Sequence, residues 1–166
     1  MKNIIPTTVI ASMLITGLTS VAGNATASRV DEVFEDTEAT CLALNVYYEA
    51  RGSNLADKAA VADVVLNRTL DRRYPATICG VVQDGYKPGR SDCQFSWYCD
   101  GKADKPRDMD SWYEAQYIAY SMLADDQYRG ISEGATHYHA TYVNPYWASS
   151  LQMVGTIGKH VFYRWE

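Results

Sequence analysis

Basic charge is scarce in this sequence. The 166 residues include 15 Lys and Arg against 20 Asp and Glu, which gives a formal net charge of −5. Proteins that bind nucleic acid usually present a basic surface, because their phosphate contacts release counterions from the polymer. The charge balance therefore predicts no nucleic-acid partner.

A long uninterrupted apolar segment is also missing. Lys2 is the only charge in the first 28 positions, but Pro6 and several Thr, Ser and Gly residues interrupt the apolar run. A membrane-spanning helix needs about 20 apolar residues, so an anchor is the less favoured alternative to a secretory signal. Small residues at Ala25-Thr26-Ala27 suit signal cleavage. We predict a signal peptide at 1–27 and a secreted or periplasmic mature chain with no stable membrane span.

Cysteine is limited to four residues, and all of them follow the predicted signal: Cys41, Cys79, Cys93 and Cys99. An even number of cysteines in an exported chain favours disulfides. The alternative is a structural zinc site, but the paired C-x-x-C spacing of such sites is absent. Three pairings are possible, of which we favour Cys41 with Cys79 and Cys93 with Cys99.

The remaining pattern predicts one α+β domain at 39–166 after a flexible lead at 28–38. Apolar spacing indicates three main helices: 39–51, a second that Asn54 caps and that ends near 68–71, and a third from Asp110 or Ser111 to Leu123. A short helical turn is expected at 78–82. Aromatic and β-branched residues indicate extended segments at 135–143 and 154–165, which form a short β-hairpin or extended pair.

Glu49 is the strongest catalytic candidate on local grounds. It lies within one turn of a predicted helix end at Gly52, where the helix dipole disfavours a negative charge and raises a carboxyl pKa. Shielding by Tyr47 and Tyr48 would raise the pKa further, whereas an ion pair with Arg51 would oppose it. The alternative is an ordinary exposed helix glutamate.

Other catalytic arrangements have weaker support. His137 and His139 alternate along a predicted strand and, with His160, could bind zinc, but no H-E-x-x-H signature is present. The G-x-S-x-G elbow of serine hydrolases is absent as well. The 13 Tyr and 4 Trp include clusters suited to a sugar-binding groove, although only 3 Phe are available and many aromatics must fill the core.

Six segments in order resemble the SleB/CwlJ family of bacterial cell wall hydrolases. They are ALNVYYEARG at 43–52, AVADVVLNR at 60–68, YPATICGVV at 74–82, CQFS at 93–96, GATHYH at 134–139 and TIGKHVFY at 156–163. The resemblance implies a small domain similar to lysozymes and lytic transglycosylases that cleaves peptidoglycan glycan strands. It also implies that the Glu of E-A-R-G, here Glu49, is the catalytic acid.

In the transglycosylase mechanism that the resemblance implies, one Glu protonates the bond between N-acetylmuramic acid and N-acetylglucosamine. It then acts as base while the muramic C6 hydroxyl attacks, so no second carboxylate and no cofactor are needed. Family members often read E-A-R-G-E, whereas this chain has Ser53 after Gly52. That difference favours transglycosylation if the second acid serves hydrolysis.

Substrate contacts are expected from Gln94, Ser96, Tyr138 and His139, with a structural role as the alternative for each. We expect a monomer that acts on peptidoglycan. Two other functions remain open at this point: a zinc-dependent cell wall amidase built on His137, His139 and His160, and a non-catalytic peptidoglycan-binding module.

Overall fold

The computed structural model describes residues 37–90 and 92–166, which form the predicted α+β fold. The helices are α1 (Thr37–Ala50), α2 (Leu55–Thr69), α3 (Ile78–Val82) and α4 (Met109–Asp125), and the strands are β1 (His137–Ala140), β2 (Gln152–Ile157) and β3 (His160–Arg164). Short 3₁₀ turns lie at Ser96–Cys99 and Tyr146–Ser150. The predicted signal peptide at 1–27 and most of the predicted lead at 28–38 lie outside the described residues.

Helix ends follow local capping chemistry. Helix α1 begins at Thr37, two residues before the expected start, and Gly52 adopts a φ of 79° just after its end. Asn54 caps α2 as predicted, because its Oδ1 accepts a hydrogen bond from the Asp57 amide at 2.9 Å. The predicted cap of α4 is wrong. Asp108, not Asp110 or Ser111, caps this helix, since its carboxylate accepts from both the amide and the hydroxyl of Ser111.

The larger part of the core lies among the helices. Leu42 and Val46 of α1 are fully buried against α2 and α4, together with Val65, Ile118 and Met122. These residues recur every three or four positions along each helix, so one face of each helix turns inward. Truncation of such a side chain to Ala typically costs about 2–5 kcal/mol of stability. This core therefore holds α1, and with it the Glu49 backbone, in place.

A three-stranded antiparallel sheet, in the order β1-β3-β2, covers α2 on one side. The expectation of a pair of extended segments is incomplete, because the segment at 154–165 is itself a hairpin. The chain reverses at Gly158, which has a φ of 57° and separates β2 from β3. Phe162 of β3 is completely buried and packs against Val61 and Val64 of α2.

Both favoured disulfides are present. Cys41–Cys79 joins α1 to α3 across 38 residues, and Cys93–Cys99 closes a short loop around the first 3₁₀ turn. A crosslink that spans a loop of a few tens of residues typically stabilises a fold by about 3–4 kcal/mol. The first bond therefore holds α3 against the start of α1.

Within the described ranges 37–90 and 92–166, no helix combines the length and apolar character needed to cross a membrane.

Candidate active site

Glu49 lies in the last turn of α1 and points toward the sheet. Its side chain is half-buried, and its Oε2 accepts a hydrogen bond from the Tyr138 hydroxyl at 3.1 Å. Burial raises the pKa of the Glu49 carboxyl above its ordinary value, while the Tyr138 hydrogen bond and the positive fields of His160 and Arg68 oppose the increase. The arrangement favours a carboxyl group that holds a proton at higher pH than an exposed glutamate does.

Arg51 does not pair with Glu49. Its Nη1 donates to the Tyr47 hydroxyl at 2.8 Å, and the same oxygen accepts from the amides of Arg107 and Asp108 at 3.0 and 3.1 Å. Tyr47 therefore links the end of α1 to the start of α4. Arg51 is therefore not among the main groups that shift the pKa of Glu49.

The aromatic residue that contacts the Glu49 carboxylate is Tyr138. Tyr47 and Tyr48, which the sequence suggested would shield Glu49, have other partners. The Tyr47 hydroxyl bonds to the start of α4, and Tyr48 stacks on Trp97 with ring centroids 4.7 Å apart. Tyr138 is 89 residues from Glu49 in the chain. Local sequence could predict a raised pKa but not the group that holds the carboxylate.

A buried hydrogen bond between Asp57 and His160 lies behind Tyr138. Asp57 is fully buried, and its Oδ1 contacts His160 Nδ1 at 2.8 Å while its Oδ2 accepts from the Lys159 amide at 2.9 Å. Burial alone would raise the pKa of Asp57, but the hydrogen bonds from His160, the Lys159 amide and Ser53 lower it overall. The His160 ring meets the edge of the Tyr138 ring, with centroids 5.2 Å apart. Asp57 therefore holds His160, and His160 packs against the tyrosine that holds Glu49.

Ser53 occupies the position where the family resemblance leads us to expect a second acid. Its hydroxyl hydrogen-bonds to the Asp57 carboxylate and helps to lower the pKa of that group. The side chain thus supports the buried hydrogen bond between Asp57 and His160 and supplies no carboxylate beside Glu49.

Two further buried polar side chains lie close to this cluster. Arg68 donates from Nε to the Thr136 carbonyl at 2.8 Å and is held between the rings of Tyr74 and Phe95. Burial lowers the pKa of Arg68, and its charge opposes the raised pKa of Glu49. Within the described part of the chain, Arg68 Nη1 and both amide atoms of Asn45 have no hydrogen-bond partner of normal geometry.

The unpartnered Asn45 amide is close enough to the Tyr138 hydroxyl to lower the pKa of that tyrosine, although burial raises this pKa well above its ordinary value overall. Asn45 is one turn before Glu49 on α1, as the sequence predicts for residues four apart. Buried polar groups without partners are rare in folded proteins, and a catalytic role is one of the explanations for them. Their position around Glu49 marks this cluster as the candidate active site.

Gln94 and Ser96 are exposed on either side of the buried Phe95. The next residue, Trp97, stacks on Tyr48, which precedes Glu49. The two predicted contacts therefore lie on a loop that packs near the Glu49 turn, but neither contacts the carboxylate.

The sheet separates the three histidines. His137 and His139 share one face of β1, as the sequence predicts, with Tyr163 beside them, whereas His160 pairs with Ala140 and lies on the other face with Tyr138. His139 Nε2 meets the Tyr163 hydroxyl at 3.0 Å, away from Glu49. Of the four predicted substrate contacts, only Tyr138 touches Glu49. In the described residues, no group of three His, Cys, Asp or Glu side chains is arranged to hold a metal ion.

Sequence reasoning missed Asp57, His160 and Arg68 as members of this cluster. Asp57 has the expected position of an acid in the first turn of α2, so nothing local distinguishes it from a helix-capping residue. Asp63, the nearby acid in the same helix, is instead structural, because its carboxylate accepts from Gly130 and Ser132 amides at 3.1 Å. Only their tertiary contacts distinguish the roles of Asp57 and Asp63.

One curated protein is similar in sequence to this chain. The chain is 28% identical over 137 residues to the spore cortex-lytic enzyme of Halalkalibacterium halodurans, an alignment that covers 82% of this chain and 37% of that protein. The chain thus spans little more than a third of the length of this curated relative.

Two solved structures are similar, both at 22% identity and over 78% of this chain. The catalytic domain of the Bacillus cereus SleB protein matches with a TM-score of 0.56 over 91% of its length. The catalytic domain of a germination-specific lytic transglycosylase, SleB from Bacillus anthracis, matches with a TM-score of 0.55 over 96% of its length. At this identity the match shows a shared fold.

The sequence profile of the cell wall hydrolase family matches residues 52–163. The match covers most of the described domain, including α2 and all of the sheet except the last residue of β3, and begins just after Glu49. The role of Glu49 therefore depends on the site geometry, while the profile, the curated relative and the shared fold agree on the identity of the domain: the chain belongs to the SleB/CwlJ family of cell wall hydrolases.

Proposed function

We propose that this domain cleaves the glycan strands of peptidoglycan between N-acetylmuramic acid and N-acetylglucosamine, with Glu49 as a single general acid and base. The observation that carries the proposal is the half-buried Glu49 carboxyl, whose pKa is raised by burial while the Tyr138 hydroxyl holds it in one orientation. A carboxylic acid that keeps its proton near neutral pH can protonate a glycosidic oxygen.

The first step is proton transfer from Glu49 to the oxygen that links the two sugars. The bond from this oxygen to the muramic anomeric carbon then breaks, and positive charge develops on that sugar. Glu49 becomes a carboxylate at this stage. The Tyr138 hydrogen bond and the charges of Arg68 and His160, which favour the ionised form, stabilise it.

In the second step the Glu49 carboxylate removes a proton from the nucleophile. When the muramic C6 hydroxyl attacks the anomeric carbon, the product is a 1,6-anhydro sugar and Glu49 regains its proton. Ordinary glycosidases use two carboxylates about 5–9.5 Å apart. If a second acid after Gly52 serves hydrolysis in the family, Ser53 at that position favours the internal nucleophile over water.

Replacement of Glu49 tests this assignment. We expect Glu49→Gln to reduce the release of fragments from purified peptidoglycan by about 10²- to 10⁴-fold, because general acid and base catalysis is lost. The variant should remain folded, since the amide can still accept the Tyr138 hydrogen bond. Mass spectrometry of wild-type products checks the second step, where anhydro ends indicate transglycosylation and reducing ends indicate hydrolysis.

Glu133→Gln is the matched control, because Glu133 has an exposed side chain that is not part of the cluster. Its activity should equal that of the wild type. Equal activities of Glu49→Gln and Glu133→Gln would contradict the assignment.

The enzyme is also proposed to act outside the cytoplasm. The support is the pair of disulfides, which persist in oxidising compartments, together with the predicted signal peptide. N-terminal sequencing of the exported protein should begin at Ser28, and a cytoplasmic chain that retains Lys2 would contradict this.

A further inference from the structure

A pocket of about 300 Å³ lies next to the Glu49 turn. One wall consists of Tyr47, Tyr48 and Arg51 at the end of α1, and the other is the loop at 100–107. Tyr48 immediately precedes Glu49, so the pocket and the candidate active site lie on adjacent sides of the same helical turn. Nothing in the proposed cleavage reaction uses this pocket.

The pocket is basic in a chain with an acidic balance. Four cationic side chains line it, against two carboxylates: Arg51, Lys102, Lys105 and Arg107 against Asp100 and Asp104. Lys102 already pairs with Asp100 at 2.9 Å. Among the described residues, the other three cations have no carboxylate within 4 Å. Burial and the nearby Asp100 raise the pKa of Asp104.

The two walls are held together before any ligand arrives. The Tyr47 hydroxyl accepts hydrogen bonds from Arg51 Nη1 and from the amides of Arg107 and Asp108. The guanidinium of Arg51 also lies 5.0 Å from the Tyr47 ring centroid. These contacts hold the Arg51 guanidinium and the loop backbone at 107–108, so less entropy is lost there when an anion binds.

We propose that this pocket binds carboxylates of the peptide attached to the N-acetylmuramic acid unit at the cleaved bond, an inference that rests on the proposed function. The peptide extends from the lactyl group of the same sugar whose anomeric carbon reacts, so it leaves the site within one sugar of Glu49. The negative carboxylates of the peptide complement the three cations that have no carboxylate partner in the pocket, Arg51, Lys105 and Arg107. The domain therefore selects strands that carry peptides over bare glycan.

Binding and cleavage are measured separately so that the two proposals can fail independently. Binding uses the full-length mature Glu49→Gln protein and a purified disaccharide-peptide, with the same disaccharide after removal of its peptide by an amidase as the comparison ligand. We expect the peptide-bearing ligand to bind about tenfold more tightly at low salt and the preference to shrink at high salt, because exposed charges are screened.

A Lys105→Gln/Arg107→Gln double variant changes only side chains, since the Tyr47 hydrogen bonds use the loop backbone. It should lose most of the preference for the peptide-bearing ligand. Arg72→Gln removes an exposed charge outside the pocket and should keep the wild-type preference. Calorimetry gives each dissociation constant, and the same ratio can be measured as kcat/KM in the active enzyme.

Three results would overturn the proposal. The first is equal affinity of the unmodified pocket for both ligands. The second is an equal loss of the peptide preference in the Lys105/Arg107 and Arg72 variants, and the third is a loss of affinity in the double variant that is the same for both ligands. The last result would assign the cations to the lactyl carboxylate of the strand itself. If peptide selectivity is found but no glycan is cleaved, the pocket stands and the proposed reaction fails.

Discussion

The two faces of the small sheet have similar residues but different contacts. On the inner face, Tyr138 and His160 connect to the carboxylates of Glu49 and Asp57 through hydrogen bonds. On the outer face, His137, His139 and Tyr163 contact the Trp147 ring, with centroids 5.4 to 5.7 Å apart. Each face has histidine and tyrosine, but among the described residues only the inner face hydrogen-bonds to acids, the half-buried Glu49 and the buried Asp57.

The difference shows how alternation along a strand assigns roles. Neighbouring residues of a strand point to opposite faces, so His139 and Tyr138 separate even though they are adjacent in the chain. On the inner face, His160 is held by a hydrogen bond to the buried Asp57 carboxylate. A histidine among aromatic rings is held mainly by packing, and burial with the charges of Arg68 and Arg73 lowers the pKa of His137 to about 4.

The largest expected effect comes from the acid that anchors the inner face. In Asp57→Asn, only one acceptor oxygen remains for two partners, the Lys159 amide and His160. The new NH₂ group then faces one of these two partners. We expect a loss of about 2–4 kcal/mol in the free energy of unfolding, because a buried charge and its hydrogen bonds are disrupted. Urea denaturation at pH 7 measures it.

Asp71→Asn provides the comparison, since Asp71 pairs with the exposed Arg73 at the surface. Such pairs contribute about 0–1 kcal/mol. An Asp57→Asn variant no less stable than Asp71→Asn would show that Asp57 and its hydrogen bonds do not anchor the hairpin.

A smaller effect is expected at the hydroxyl that joins the sheet to Glu49. Tyr138→Phe removes a hydrogen bond that lowers the Glu49 pKa, so the pKa should rise further. Activity that requires protonated Glu49 is lost as pH rises through this pKa, and the alkaline limb of the kcat/KM profile should move to higher pH. We expect the maximal rate to fall by about tenfold, since a hydrogen bond to the carboxylate is lost.

Tyr163→Phe removes the corresponding hydroxyl from the outer face and should leave the alkaline limb where it is. A limb that moves to lower pH in Tyr138→Phe, or that moves equally in both variants, would contradict the role of the inner face.

The smallest effect concerns the outer face. Because the pKa of His137 falls from the usual 6.5 to about 4, the unfolded chain binds a proton more readily than the folded protein between these values. The stability due to neutral His137 is therefore present above about pH 6.5 and decreases as pH falls toward 4. After allowance for partial exposure, we expect about 1 kcal/mol between pH 7 and 5.

His137→Phe should remove this part of the pH dependence, which thermal unfolding at several pH values would detect. His139→Phe, on the same face, serves as the comparison. If the two variants have the same pH dependence as the wild type, the lowered pKa of His137 does not contribute to stability.

Several local features were predictable from the sequence. Asn54 caps α2 and Gly52 follows the end of α1 because capping depends on residues within one turn. The sequence favoured these two disulfides among three possible pairings, on the even cysteine number, the predicted signal peptide and the order of the predicted elements. The start of α4 was missed, since Asp108, Asp110 and Ser111 all have side chains suited to a cap and only the fold selects among them.

The order of the helices, the position of Glu49 near a helix end and the family resemblance can all be read from the amino-acid sequence. These depend on short-range periodicity and on ordered motifs. The contact of Tyr138 with the Glu49 carboxylate, 89 residues away, and the contact of Asp57 with His160 across 103 residues depend on the folded structure. The reason is that these contacts form when Phe162 packs the hairpin against α2, and no local pattern encodes which face of the sheet that packing buries.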